Sequence, residues 1–300
     1  MILVPIGELC AVAAAITWAI GSILFARIGR GVAPGAMNVG KLVVAGGLLT
    51  LTHLAIGGRF VPEHATAGAG WLLAASGILG LTIGDTAYFA AMMELGVARA
   101  ILMLSTAPVF AALGGFLILG ETLDARSLLG MALTMGGVGL VVARPNDPTR
   151  GSPRPSGKGL AFGLVAAVGQ ASGSLLSRRA MQAGVDPLAA SALRIVIGAI
   201  GLTLVALAIG RVGSWSRELA KDRAWAKVAV GSLLGSYCGI WLAQTAILRA
   251  SSTGVATALL ATSPVFALPI AHYAGMDRMT ARAGVGALLA VAGIAVLSIR

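Results

Sequence analysis

Thr106-Ala107-Pro108-Val109-Phe110 recurs as Thr262-Ser263-Pro264-Val265-Phe266, 156 residues further on. Both copies sit inside long apolar runs, and the same offset carries Glu121 onto Asp277, Arg126 onto Arg282, Gly130 onto Gly286 and Gly137 onto Gly293. Nearer the start of each half the offset is 152 or 153: Gly21-Ser22 matches Gly173-Ser174, Pro34 matches Pro187, and Lys41 matches Arg194. Matches in order along two stretches of this length point to an internal duplication.

The runs around these motifs set the class of protein. A bilayer-crossing helix needs about 20 apolar residues. Such segments run approximately over Gly7–Ala26, Ala36–Ile56, Trp71–Met93, Val97–Leu119 and Leu128–Ala143. After a polar linker they resume over Gly159–Ala180, Leu188–Ile209, Trp225–Leu248, Thr253–Ala274 and Ala283–Ile299. The expected organisation is a first five-helix repeat over residues 1–143, a linker over 144–158 and a second repeat over 159–300. Strands are disfavoured, because barrel strands are short and alternate. The longest connection, Gly210 to Ala224, carries several charges, and almost no amphipathic surface helix is expected between the spans. Five is odd, so the second half enters the membrane upside down. The expectation is an all-α membrane protein, with ten transmembrane helices as two inverted five-helix repeats around a central cavity. Inverted repeats are frequent in secondary transporters, and occur in channels too.

Composition agrees. Hydrophobic residues make up 57%, charged residues 11%, and mean hydropathy is +0.91, whereas soluble domains carry about 25% charged residues. The net charge of +11 is spread between apolar runs rather than gathered in one patch, which argues against a nucleic-acid partner. Counted by loop side, fourteen basic residues share the side of the first interhelical loop and six share the side of the termini. The positive-inside rule then predicts both termini outside. Met1–Pro5 lacks the basic region of a cleavable signal peptide. Cys10 and Cys238 lie within apolar segments, and no CxxC, Cys/His cluster or nucleotide-binding motif is present. No cofactor, metal or enzymatic activity is expected, and the isolated His53 and His272 suggest none.

Polar groups inside a bilayer are functional candidates. Asp85, in Gly84-Asp85-Thr86-Ala87-Tyr88, would bind an ammonium group or a proton, or form a structural pair with Lys41 or Arg194. Lys41 and Arg194 occupy equivalent places near helix starts, so snorkelling to the interface competes with a substrate role. Asn38 shares a face with Lys41. On helix 8, Tyr237, Trp241 and Gln244 share a face; offset 156 sets Trp241 on Asp85 and Gln244 on Tyr88. Trp18 matches Gln170 on helices 1 and 6. The expected substrate-binding set is Trp18, Asn38, Asp85, Tyr88, Gln170, Tyr237, Trp241 and Gln244, with interhelical packing as the alternative. Trp71, Trp215 and Trp225 suit an interfacial belt. Pro108 and Pro264 would kink helices 4 and 9 as hinges or static bends, with Ser105, Thr106, Thr262 and Ser263 available to bond the freed backbone. The many glycines within spans, such as Gly46-Gly47, Gly77, Gly80, Gly84, Gly114-Gly115 and Gly136-Gly137, read as helix-packing positions.

The paired Pro-Val-Phe elements, Gly120-Glu121 and the small-residue stretch from Leu128-Leu129-Gly130-Met131-Ala132 resemble the ten-helix, EamA-type branch of the drug/metabolite transporter superfamily. Met276-Asp277 stands where the second half would often have Gly-Glu. The resemblance implies a monomeric secondary transporter in the lipid bilayer, with eight helices around a central cavity and helices 5 and 10 peripheral. It further implies export of amino acids or related small metabolites across the bacterial inner membrane. Within the branch the chain resembles the YddG-like exporters of aromatic amino acids. Cytosolic termini in many eukaryotic members run against the charge count. A multidrug or nucleotide-sugar carrier is the alternative in the same fold. A membrane-embedded lipid enzyme is a remote one, since it needs acid/base or metal clusters absent from the sequence.

Overall fold

The structure, a computed structural model, describes residues 6–28, 31–56, 66–95, 97–104, 106–120, 122, 124–142, 156–273 and 281–298. Those residues form helices and turns, with no strand among them. The first half contributes α1 (Ile6–Ile28), α2 (Pro34–Ala55), α3 (Ala67–Leu95), α4 (Val97–Leu104), α5 (Ala107–Leu119) and α6 (Ala125–Val142). The second contributes α7 (Gly157–Gln182), α8 (Pro187–Ala208), α9 (Val212–Ala220), α10 (224–249), α11 (Thr253–Leu260), α12 (Ser263–Tyr273) and α13 (Ala281–Ser298). Among the described residues, six helices are long and apolar enough to cross a membrane: α1, α2, α3, α7, α8 and Val212–Arg249, which runs α9 and α10 together. Most of the polar linker, Glu121, Asp277 and the side chains of Pro108, Pro264 and His272 lie outside what is described.

Local signals set the helix starts. Asp186 caps α8, accepting from the backbone N–H groups of Leu188 and Ala189, with Pro187 in the first turn. Ser156, Thr66 and Ser252 cap α7, α3 and α11 in the same way. A capped N–H is one fewer unsatisfied donor at the helix end.

The packing exchanges the two halves. Helix α1 packs on α10 and α12, while α7 packs on α3 and α5; α2 lies on α8, and α6 on α13. The closest crossings are made by small residues in reciprocal places. Gly21 meets Gly235, and Gly173 meets Gly80, so closely that a Cβ on any of the four would fall 2.7–3.4 Å from the opposing Cα. Gly137 abuts Ala290 and the Gly286 carbonyl, and Gly293 abuts Thr134 and the Gly130 carbonyl. These are repeat-related pairs in which small side chains let the backbones approach. Gly46, Gly77, Gly84 and Gly114 are packed similarly, but a Cβ on Gly47 or Gly136 would meet open space.

Three features depart from the sequence expectation. First, the connection Gly210 to Ala224 folds as α9, an amphipathic helix. It buries Trp215 and Leu219, exposes Arg217, and anchors to the first half through the Glu218 carboxylate, which accepts from the Ala33 N–H at 2.7 Å. Trp215 is therefore packed over Gly35 rather than placed in an interfacial belt; Trp71 and Trp225 are exposed.

Second, the described residues of helices 4 and 9 include a turn, at 106 and at 261–262. The prolines fall in the first turn of the new segments α5 and α12, where no N–H donor is required. Pro108 and Pro264 thus stand at the starts of the segments that follow each turn. Thr106 and Thr262 donate their hydroxyls to the carbonyls of Met103 and Leu259, at 2.7 Å in both halves.

Third, α3 and α10 each contain a π-helical stretch, Gly77–Gly84 and Ser232–Cys238. A π turn holds an extra residue and shifts the phase of everything beyond it.

Candidate functional site

The π stretches decide which side chains face inward. In α3 the inward positions are Leu81, Asp85, Tyr88 and Phe89; in α10 they are Ser236, Ile240, Ala243 and Gln244. The two sets correspond at an offset of 155, the offset that also aligns Gly80 with Gly235 and Gly84 with Gly239. Of the helix 8 face expected at offset 156, Gln244 points into the cavity and Tyr237 and Trp241 do not. Ile240, not Trp241, stands opposite Asp85 in the repeat, and Gln244 corresponds to Phe89.

The inward faces of α1, α2, α3, α7, α8 and α10 enclose a cavity holding about 870 Å³ of empty space up to its open side. Of the residues expected from sequence, Trp18, Asp85, Tyr88, Gln170, Gln244, Lys41 and Arg194 line it. Three do not. Asn38 is fully buried behind α3, donating to the Leu81 carbonyl at 2.8 Å and the Thr86 hydroxyl at 2.9 Å. Its amide meets a carbonyl of the π stretch rather than a solute. Tyr237 shares a hydrogen bond with Thr52 at 2.8 Å and packs at 6.4 Å, ring centre to ring centre, against Trp241. Both rings support the α2–α10 contact behind the cavity wall.

Sequence reasoning missed Ser22, Phe25, Phe89, Ser174 and Ser236, all of which line the cavity. A signal existed for the first helix of each half. Trp18, Ser22 and Phe25 fall at i, i+4 and i+7, and their repeat partners are Gln170, Ser174 and Ser177. Extending the Trp18/Gln170 match along one helical face reaches them.

The walls combine aromatic rings with hydrogen-bonding groups. Phe25 and Phe89 meet edge to face at 5.4 Å. Tyr88 and Ser22 face the cavity from α3 and α1. Ser177 donates to the Gln244 carbonyl oxygen, leaving that amide's NH₂ unassigned among the described contacts.

Three charged side chains line the cavity. Lys41 and Arg194 are only 6% and 4% exposed, so neither snorkels. Lys41 forms an ion pair with Asp85, and its ammonium lies 5.5 Å from the centre of the Phe89 ring. Arg194 has no hydrogen-bond or ion-pair contact among the described residues; Asp85 acts on it only through its field, and its Nε is buried without a partner. Its guanidinium is aimed through the notch between Gly80 and Gly173, where a Cβ on either glycine would lie 3.3 Å from Nη2. A smaller apolar pocket adjoins the cavity, sharing Trp18, Leu104, Gln170 and Ser263, and reaches Ala261 at the turn in helix 9.

A family model described as the EamA-like transporter family matches residues 5–143 and again residues 157–299. A solved structure described only as a crystal structure of a protein is similar, with a TM-score of 0.72 at 20% identity. The match covers 97% of this chain and 95% of that chain, and at that identity it shows the fold alone. No curated protein matches the chain.

Proposed function

The chain belongs to the EamA-like transporter family, a multi-pass membrane transporter of small solutes, and on that premise we propose that it exports amino acids, aromatic ones among them, or related small metabolites across the bacterial inner membrane. It does so by alternating access, with ten spans arranged as two inverted five-helix repeats, residues 1–143 and 159–300 on either side of a linker at 144–158.

One observation carries this reading. The cavity lies between reciprocally packed halves, and its walls join aromatic rings to buried charges. Apolar walls with a few convergent polar groups suit a small amphiphilic solute. Trp18, Tyr88, Gln170 and Gln244 contact that solute, while Asn38, Tyr237 and Trp241 brace the wall behind them. Lys41 and Arg194 set the charge, and the turns before Pro108 and Pro264 serve as the hinges. Pairing with Lys41 removes the free carboxylate that a cationic drug would need, which counts against the multidrug alternative.

Counterflow of labelled phenylalanine in proteoliposomes tests the reading. We expect transport by the native protein and at least a tenfold loss in Gln170→Ala. Normal transport by a Gln170→Ala, Tyr88→Ala double variant would sink the site assignment.

A further inference from the structure

The duplication supplies two cations to the cavity but one acid. Lys41 and Arg194 are repeat-related, yet Asp85 corresponds to Ile240. Lys41 is neutralised by Asp85, and Arg194 is left buried and unmatched at the cavity wall. Among the described residues lining the cavity the formal charge is therefore +1: two cations against one carboxylate.

An unbalanced charge is costly in a low-dielectric interior, and it attracts the solute that balances it. A zwitterion leaves the sum unchanged. A solute of charge −1 brings it to zero and gives Arg194 the planar, bidentate partner that a guanidinium favours. We infer that the preferred solute is an organic carboxylate without a compensating ammonium group, its carboxylate on Arg194 and its apolar body against Phe25, Phe89, Ile240 and Ile247. This rests on the transport reading and narrows its solute from amino acids to their net-anionic, deaminated counterparts. Arg194 is held for this purpose. Its guanidinium occupies the Gly80–Gly173 notch, and Arg178 on α7 is not among the lining residues and donates to the Ile247 carbonyl.

Three matched solutes decide the matter: 3-phenylpropanoate, phenylalanine and phenethylamine, which share one ring and differ in charge. Binding is measured by calorimetry on the full chain in lipid nanodiscs, in carboxylate-free buffer. We expect 3-phenylpropanoate to bind at least as tightly as phenylalanine and at least tenfold more tightly than phenethylamine. Phenylalanine or phenethylamine binding more tightly than 3-phenylpropanoate overturns the inference.

Two pairs of variants locate the charge. Arg194→Gln is expected to weaken 3-phenylpropanoate at least tenfold, with Arg194→Lys recovering part of the loss. Ile240→Asp, which restores the missing acid, is expected to bind it at least tenfold more weakly than the neutral Ile240→Asn. Equal affinities within either pair overturn the assignment to Arg194. Flux in proteoliposomes separates this inference from its premise. If phenylalanine crosses and 3-phenylpropanoate does not, transport stands and the anionic preference fails. If none of the three crosses, the transport reading itself fails.

Discussion

The ion pair between Lys41 and Asp85 shows how much a single partner matters. The Lys41 side chain is 7% exposed and the Asp85 side chain 20%. Removing one member of a buried pair leaves the other charge desolvated and unpaired, whereas removing both with apolar replacements is often close to neutral. Asp85→Leu should therefore destabilise the protein by about 2–4 kcal/mol, below the cost for a fully buried pair because Asp85 keeps some contact with water. Lys41→Met with Asp85→Leu should recover most of that loss. Unfolding midpoints of the two single variants and the double variant in detergent check this. Additive losses would show that the pair contributes nothing to holding α2 against α3. From sequence, both residues were visible as charges in apolar helices, and their pairing was one of several options. Which cation took the acid depended on side-chain reach across two helices, information that neither helix contains alone.

At the scale of the element, the π stretches have the largest consequence. Each residue of an α-helix turns the chain by about 100°, so one extra residue redirects every later side chain. A deletion of Leu234 should return 232–238 to α-helical spacing and carry Gln244 out of the cavity, while α10 remains helical. This can be checked with Gln244→Cys, in a background with Cys10 and Cys238 replaced by Ser. Labelling by a polar thiol reagent entering the cavity should fall sharply in the deletion variant, with unchanged circular dichroism. Unchanged labelling would mean that the phase shift is absorbed before Gln244. The turns in helices 4 and 9 make a related point. Thr106-Ala107-Pro108 and Thr262-Ser263-Pro264 are as compatible with a kinked helix as with a new helix start. The choice was made by the turns at 106 and 261–262 and by the threonine hydroxyls bonding back to Met103 and Leu259.

At the scale of the whole molecule, the two halves are exchanged by their contacts, with α1 on α10 answered by α7 on α3. On the proposed ten-span topology, the charge count predicts which face of this arrangement meets the cytoplasm. With fourteen basic residues on the side of α9 and six on the side of the termini, a membrane-impermeant thiol reagent applied to intact cells should label Gly184→Cys, between α7 and α8. It should not label Ser214→Cys on α9. The reverse pattern would invert the topology and place both termini in the cytoplasm.

The sequence by itself determined the material and the plan: helices rather than strands, a membrane rather than water as solvent, and one unit used twice. Long uninterrupted apolar runs have no other stable environment, because a bilayer accepts a backbone only when its hydrogen bonds are satisfied internally. It also singled out seven of the cavity's lining residues, since polar groups in such runs are conspicuous. Only the tertiary structure decided where those groups point. Asn38, Tyr237 and Trp241 share composition and depth with the residues that line the cavity, yet they pack behind it. The cause is local and geometric. A π stretch in both α3 and α10 turns the residues beyond it, and a helical face is set by accumulated rotation, which residue identity does not record. With that rotation Ile240 faces the cavity at the place Asp85 holds in the first half, and Arg194 is left without the acid that pairs with Lys41.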